Sequence, residues 1–157
     1  MPTPDPIDWS LLVTNGVKLF AAYLLAVPTA WDRESRHRPA GLRTFPLVSI
    51  AACGYVLVGR DVFGTDGQAL ARIVQGLMTG IGFVGGGAIV KSKVSVEGTA
   101  TASGIWCTGA IGCSVALERY EIALLLSAIV FLTFRYVTEL KSAVPSTDSG
   151  AGDDRSE

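Results

Sequence analysis

The triplet Asp32, Arg33 and Glu34 is the group of residues whose types and spacing best suit binding chemistry. Two carboxylates that bracket an arginine could bind a hard cation such as Mg²⁺, which takes oxygen ligands and keeps much of its water. The same triplet could instead be a solvated helix end whose charges pair locally, for example with Arg36. Both interpretations stay open here, and Asp32 and Glu34 are the candidate Mg²⁺ ligands.

The segment GIGFVGGG matches the pattern G-x-G-x-x-G through Gly80, Gly82 and Gly85. In dinucleotide-binding turns this pattern follows a strand, and an acidic residue lies about 20 positions further on. Here no charged residue occurs between Ile73 and Val90, a stretch about as long as a bilayer-spanning helix. We therefore expect these glycines to serve a membrane helix and not a nucleotide site.

The remaining reactive side chains do not form a catalytic set. His37 lies in an expected loop without an evident partner, and the three cysteines fall inside apolar blocks without a C-x-x-C pair. We therefore expect a protein that is not an enzyme. The sequence also has no stripe of basic residues and no aromatic platform, which are the features typical of nucleic-acid binding.

The apolar residues lie in long blocks separated by short polar connections, which is typical of membrane proteins. We predict an all-α, polytopic membrane protein with five transmembrane helices, at about residues 11–31, 45–60, 67–90, 99–117 and 121–138. Thr65 and Gln68 fit a capping box at the start of the third helix. The predicted organisation is an N-terminal segment (1–10), a transmembrane domain (11–138) and a disordered acidic tail (139–157).

Basic residues are concentrated in the loops on one side of this arrangement. The loop at residues 32–44 carries four arginines, the loop at 91–98 carries two lysines, and Arg135 and Lys141 end the last helix. By the positive-inside rule this side is cytoplasmic. The N-terminus is therefore expected outside and the C-terminus in the cytoplasm.

Small residues four positions apart predict close helix packing, because hydrophobic attraction between helices is weak in a membrane. The third helix has two such pairs, Gly76 with Gly80 and Gly82 with Gly86. The fourth helix has an unbroken row, Ala100, Gly104, Thr108, Gly112 and Ala116. We predict that these faces join the two helices in a tight hairpin, or join two copies of the chain. The alternative is that the glycines line an ion path.

Lys18 is the basic residue that lies deepest within the predicted spans, and Arg72 lies nearer the interface. Lys18 in the first helix could extend its stem to the outer surface or have a buried pairing role. Arg72 lies near the start of the third helix and could form a local pair with Asp61 or Asp66.

Three segments resemble the MgtC/SapB family of membrane proteins. The family's first helix and inner loop resemble the segment KLFAAYLLAVPTAWDRESRHRPAGLRT. Its glycine-rich helix resembles RIVQGLMTGIGFVGGGAIV, and the segment that follows this helix in the family resembles VEGTATASGIW. They occur in the family's order across residues 18–112. The matched positions include Lys18, Asp32, Arg33, Glu34, Arg43, Thr44, Arg72, Gly80, Gly82, Thr101 and Trp106. The sequence departs from the family at Phe45, where a histidine is frequent.

The resemblance implies a bacterial inner-membrane protein, multi-pass, linked to growth at low magnesium and to stress adaptation. The expected function is that of a non-enzymatic regulator of Mg²⁺ homeostasis. Its polar inner-loop site would be Asp32, Arg33, Glu34, Arg43 and Thr44, which would contact a cation, a lipid headgroup or a partner. We expect no cofactor beyond Mg²⁺ as a candidate ligand.

The expected partners are membrane lipid, further copies of the chain, or another membrane protein. The resemblance implies the proton-driven ATP synthase as one such protein. The alternative function is a subunit of a Mg²⁺ or proton transporter or channel. Many family members also carry a cytosolic C-terminal domain, which we expect this chain to lack.

Overall fold

The computed structural model describes residues 8–38, 40–64, 66–91 and 95–137. Within these ranges the chain forms five α-helices: α1 (Trp9–Ser35), α2 (Thr44–Phe63), α3 (Gly67–Gly87), α4 (Thr99–Ala116) and α5 (Tyr120–Leu132). A π-helical turn, Thr133–Val137, continues α5. A short antiparallel ribbon of β1 (Val90–Lys91) and β2 (Val96–Glu97) joins α3 to α4. The predicted all-α fold class is confirmed.

Four of the described helices are long and apolar enough to cross a membrane: α1, α2, α3, and α5 together with its π-helical turn. The remaining helix, α4, has nine buried residues and packs against all four others. Its many glycine, serine and threonine residues are tolerated because its neighbours are protein and not lipid. The chain is therefore a polytopic membrane protein with α4 at its centre, and the sidedness of its termini stays a prediction.

Aspartate side chains cap the first and third helices. The Asp8 carboxylate accepts hydrogen bonds from the backbone N–H groups of Ser10 and Leu11. The Asp66 carboxylate accepts from Gln68 N at 2.9 Å and from Ala69 N at 3.2 Å. The predicted start of α3 at residue 67 is correct, but the cap is Asp66, which satisfies the helix's free N–H groups. Thr65 lies outside the described residues, as does the tail at 139–157.

Small polar residues hold the helices at close range. The Ser49 hydroxyl of α2 donates to the Ala22 carbonyl of α1 at 2.8 Å. The Ser127 hydroxyl of α5 donates to the Leu25 carbonyl of α1 at 2.6 Å. These bonds join α1 to two neighbours at the depth of the apolar core, where a hydroxyl without a partner would be costly.

Gly104 and Gly112 in the row of small residues on α4 face α2 and the π-helical turn that continues α5, and not the glycines of α3. A Cβ at Gly112 would overlap the Ser49 carbonyl oxygen of α2, and one at Gly104 would meet Phe134 at 2.6 Å and Phe45 at 3.1 Å. The predicted hairpin face within one chain is therefore wrong, because a row of small residues does not encode which helix it meets.

The four predicted packing glycines of α3 lie in open space. No described atom lies within 4 Å of a Cβ placed at any of them, namely Gly76, Gly80, Gly82 and Gly86. The contact of α3 with α4 instead uses Gly85, whose Cβ would lie 3.1 Å from the Ala102 carbonyl oxygen, and Gly109, which faces Ile81. A role of the four glycines between copies of the chain stays a prediction.

Candidate functional site

Two buried charged residues lie in the last turn of α1, at the end of the bundle where α1, α4 and the π-helical turn meet. Asp32 is 4% exposed and Arg33 is 5% exposed. Charges are rarely buried to this extent unless they are paired. We call these two residues, with Arg36, Thr101 and Arg135, the Asp32 cluster.

Arg33 connects three elements through its guanidinium group. Its Nη2 donates a hydrogen bond to the Thr101 hydroxyl at the start of α4. The guanidinium carbon lies 4.7 Å from the centre of the Phe134 ring, a cation–π distance. Phe134 in turn packs edge-on against Phe45, with ring centres 6.4 Å apart. Arg33 therefore ties the end of α1 to α4 and to the π-helical turn.

Asp32 lies between cationic groups. Its Oδ1 accepts from Arg36 Nε at 3.1 Å and lies 3.7 Å from Arg135 Nη1. Its Oδ2 is buried and has no hydrogen-bond partner among the described residues, and the same holds for Arg33 Nε and Thr29 Oγ1. The carboxylate charge is thus compensated by arginines from two parts of the chain, while one oxygen keeps its capacity to accept.

The residues of the Asp32 cluster do not fit a Mg²⁺ site. Asp32 offers one unpartnered oxygen beside guanidinium groups, which repel a second cation. Glu34, the other candidate ligand, is exposed, and its Oε2 accepts from the backbone N–H of Leu42 at 3.2 Å and packs on Gly41. Across the described ranges, no three acidic, histidine or cysteine side chains are grouped closely enough to hold a metal. Mg²⁺ needs about six oxygen ligands in octahedral geometry.

The other predicted loop residues lie beside the cluster and not in it. Arg43 is exposed and precedes α2, and Thr44 is its first residue. In the part of the chain that the structure describes, Arg43 makes no side-chain hydrogen bond or ion pair. Sequence reasoning missed Phe134 and Arg135 as neighbours of the triplet, since no local signal links positions about 100 residues apart.

A second charged cluster lies at the opposite end of the bundle. Lys18 Nζ donates to Glu118 Oε1 at 2.7 Å, and Arg60 Nη1 donates to the same oxygen at 3.3 Å. Arg60 also donates to the Ala116 carbonyl at 2.8 Å. The hydrogen bond and charge of Lys18, followed by the charge of Arg60, lower the pKa of Glu118. Lys18 is therefore paired, but its partner Glu118 is 51% exposed, so the structure does not place the pair in the buried interior. We call Lys18, Arg60 and Glu118 the Lys18 cluster.

Arg72 and Trp106, the other family-matched positions, lie on the surface of the bundle. Arg72 is exposed on α3, and its expected pair with Asp61 or Asp66 does not form among the described residues. Trp106 is 45% exposed and lines a recess between α3 and α4.

The chain matches the model of the MgtC family over residues 19–143. Protein MgtC of Brucella abortus is 36% identical over 104 residues, which cover 66% of this chain and 43% of that relative. Protein MgtC of Salmonella typhimurium is 34% identical over 114 residues, which cover 73% of this chain and 48% of that relative. The matches thus span less than half the length of these relatives. No solved structure matches the chain significantly. With the family model covering most of its length, the chain belongs to the MgtC family.

Proposed function

We propose that this chain is a non-enzymatic regulator in a bacterial inner membrane, which modulates Mg²⁺ homeostasis and adaptation to stress by contacting partners in the bilayer. Membership of the MgtC family and four apolar helices support a membrane role linked to magnesium. The partners would be lipid, a second copy or another membrane protein, the ATP synthase among them.

The packing of the interior is the observation that carries this proposal. Between the Lys18 cluster and the Asp32 cluster, the buried side chains are mainly apolar: Ala22, Ala26, Ala30, Cys53, Val56, Ile105, Ile111 and Val115. The two clusters lie 14 residues apart on α1, which corresponds to about 21 Å at 1.5 Å per residue. A cation crossing this layer would have to exchange its water for protein oxygens.

Three buried hydroxyl groups of this layer are committed to backbone carbonyls, whereas the Thr29 hydroxyl has no hydrogen-bond partner among the described residues. Ser49, Thr108 and Ser127 donate to the carbonyls of Ala22, Gly104 and Leu25. A hydroxyl that bonds a neighbouring helix or its own preceding turn holds the bundle together instead of coordinating an ion. This arrangement favours a regulator over a transporter within a single chain.

Flux and growth measured together test the proposal. The full chain would be reconstituted in liposomes that hold a Mg²⁺-sensitive dye, beside a known Mg²⁺ channel. The same gene would be expressed in a strain that lacks its own copy and is grown at low Mg²⁺. We expect restored growth and no protein-dependent flux.

Protein-dependent flux would overturn the proposal, above all if Gly112→Leu, which forces a side chain between α2 and α4, abolished it. If the chain neither restored growth nor produced flux, the link to magnesium would be contradicted. The known channel controls for the dye, and membrane levels of each variant control for folding.

A further inference from the structure

A groove of about 480 Å³ lies between α2 and α3 on the surface of the bundle. One wall is formed by Val48, Ala51, Ala52 and Tyr55 of α2. On α3, Gly76 and Gly80 line the groove, and the space beside each of them is open because no atom lies within 4 Å of a Cβ placed there. The lining is almost wholly apolar, and Arg72 lies at one end.

Arg72 is a cation in a helix that is long and apolar enough to cross the membrane. It lies five residues after the first residue of α3, about 7.5 Å along the axis. Within the described ranges it has neither an ion-pair partner nor a hydrogen-bond partner. An ionised side chain at such depth is costly unless an anion or the interface accommodates it. It is also the only charged residue among those that line the groove.

The groove has the length of one lipid leaflet. From Arg72 to Val84 it follows α3 for 12 residues, or about 18 Å. The hydrocarbon layer of one leaflet is about 15 Å deep, half of the bilayer's roughly 30 Å. A ligand that suits both parts of this surface has an anionic head at Arg72 and a hydrocarbon chain about as long as the leaflet is deep.

We propose that this groove binds one anionic phospholipid, with the headgroup phosphate on the Arg72 guanidinium and one acyl chain lying over Gly76 and Gly80. The planar guanidinium can donate two parallel hydrogen bonds to phosphate oxygens. Among the described residues, no carboxylate lines the groove to attract the ammonium of a zwitterionic headgroup. Charge therefore favours a lipid with net negative charge.

Native mass spectrometry of the full chain, released from micelles that contain either phosphatidylglycerol or phosphatidylcholine, tests this site. We expect one retained phosphatidylglycerol per chain and weaker retention of phosphatidylcholine. Arg72→Gln should reduce phosphatidylglycerol affinity about tenfold, the effect of losing one charge-assisted contact. Gly80→Leu should reduce it at least as much, because the new side chain occupies the groove.

Gly82→Leu is the matched control. Gly82 lies on the same helix in equally open space but does not line the groove, so this variant should retain lipid like the original chain. Unchanged retention in Arg72→Gln or Gly80→Leu would overturn the proposal, as would an equal loss in Gly82→Leu. If Gly80→Leu abolished a dimer without affecting lipid retention, a second copy would be the occupant and the lipid proposal would be wrong.

Discussion

The contact between α2 and α4 at Gly112 allows a sharp test of the packing. A Cβ at this position would overlap the Ser49 carbonyl oxygen and lie 3.1 Å from the backbone nitrogen of Cys53. Backbone atoms in a helix cannot rotate aside as the end of a side chain can. We therefore expect Gly112→Ala to push α2 and α4 apart and to lower the free energy of unfolding.

The size of this loss in the free energy of unfolding follows from a comparison with Gly82→Ala, the same substitution at a position in open space. Alanine favours a helix over glycine by about 1 kcal/mol, and this gain is common to both variants, so it cancels in the difference. Overpacking of a well-filled interior costs about 1–3 kcal/mol. Gly112→Ala should accordingly be about 1–3 kcal/mol less stable than Gly82→Ala.

The stability of Gly109→Ala should lie between those of Gly82→Ala and Gly112→Ala. Its new Cβ meets the end of the Ile81 side chain, which can change rotamer. The measurement is reversible unfolding in mixed micelles titrated with dodecyl sulfate, followed by the loss of helical circular dichroism. If Gly112→Ala unfolded at the same detergent fraction as Gly82→Ala, the close approach of α2 to α4 would be refuted.

Three further changes test the charged clusters by the same unfolding measurement or by thermal unfolding. Thr101→Val removes the hydroxyl that accepts from Arg33 and should cost about 1–3 kcal/mol, whereas Thr101→Ser should retain most of the stability. Asp32→Asn should cost about 1–2 kcal/mol, less than breaking a fully buried pair, because its arginine partners are partly exposed. The lowered pKa of Glu118 means that its carboxylate stabilises the fold above its ordinary pKa of 4.5 and loses this effect as the pH falls through the lowered value. Glu118→Gln should therefore lower the Tm at pH 7, and this deficit should shrink as the pH falls below 4.5 and through the lowered pKa; a deficit that stayed constant as the pH fell would contradict this origin.

The helices were predictable from sequence because a membrane requires long, uninterrupted apolar segments. The predicted starts and ends lie within a few residues of the observed ones, as for α3, predicted at 67–90 and observed at Gly67–Gly87. The central position of α4 was not predictable from its apolar content alone. Its row of small residues indicated close contact on one face, but the identity of the neighbouring helix depends on how all five pack.

In the charged clusters, too, sequence indicates contacts between residues that are near in the chain but not contacts between residues that are far apart in it. The bond between Asp32 and Arg36 joins residues four apart on one helical face, a spacing that sequence reveals. The bond between Lys18 and Glu118 joins residues 100 positions apart, and nothing near either residue indicates the other. Sequence thus indicated that Lys18 needs a partner or a path to the surface, and the fold shows a partner that is itself half-exposed.

The position of Lys18 along α1 is relevant both to its pairing with Glu118 and to the surroundings of Arg72. Nine residues of α1 precede Lys18, about 14 Å of helix, and Trp9, Leu12 and Val13 in that segment are exposed apolar residues suited to lipid. Lys18 thus follows a segment of α1 that is suited to lipid, and an unpaired charge within a membrane would be costly. A Cβ at Gly59 would meet the side chain of Ile73, which places Arg72 at nearly the depth of Arg60 in the same cluster. Arg60 has Glu118, whereas Arg72 has no anion among the described residues, and the phosphate of the proposed lipid would give Arg72 the counter-charge that Glu118 gives Lys18.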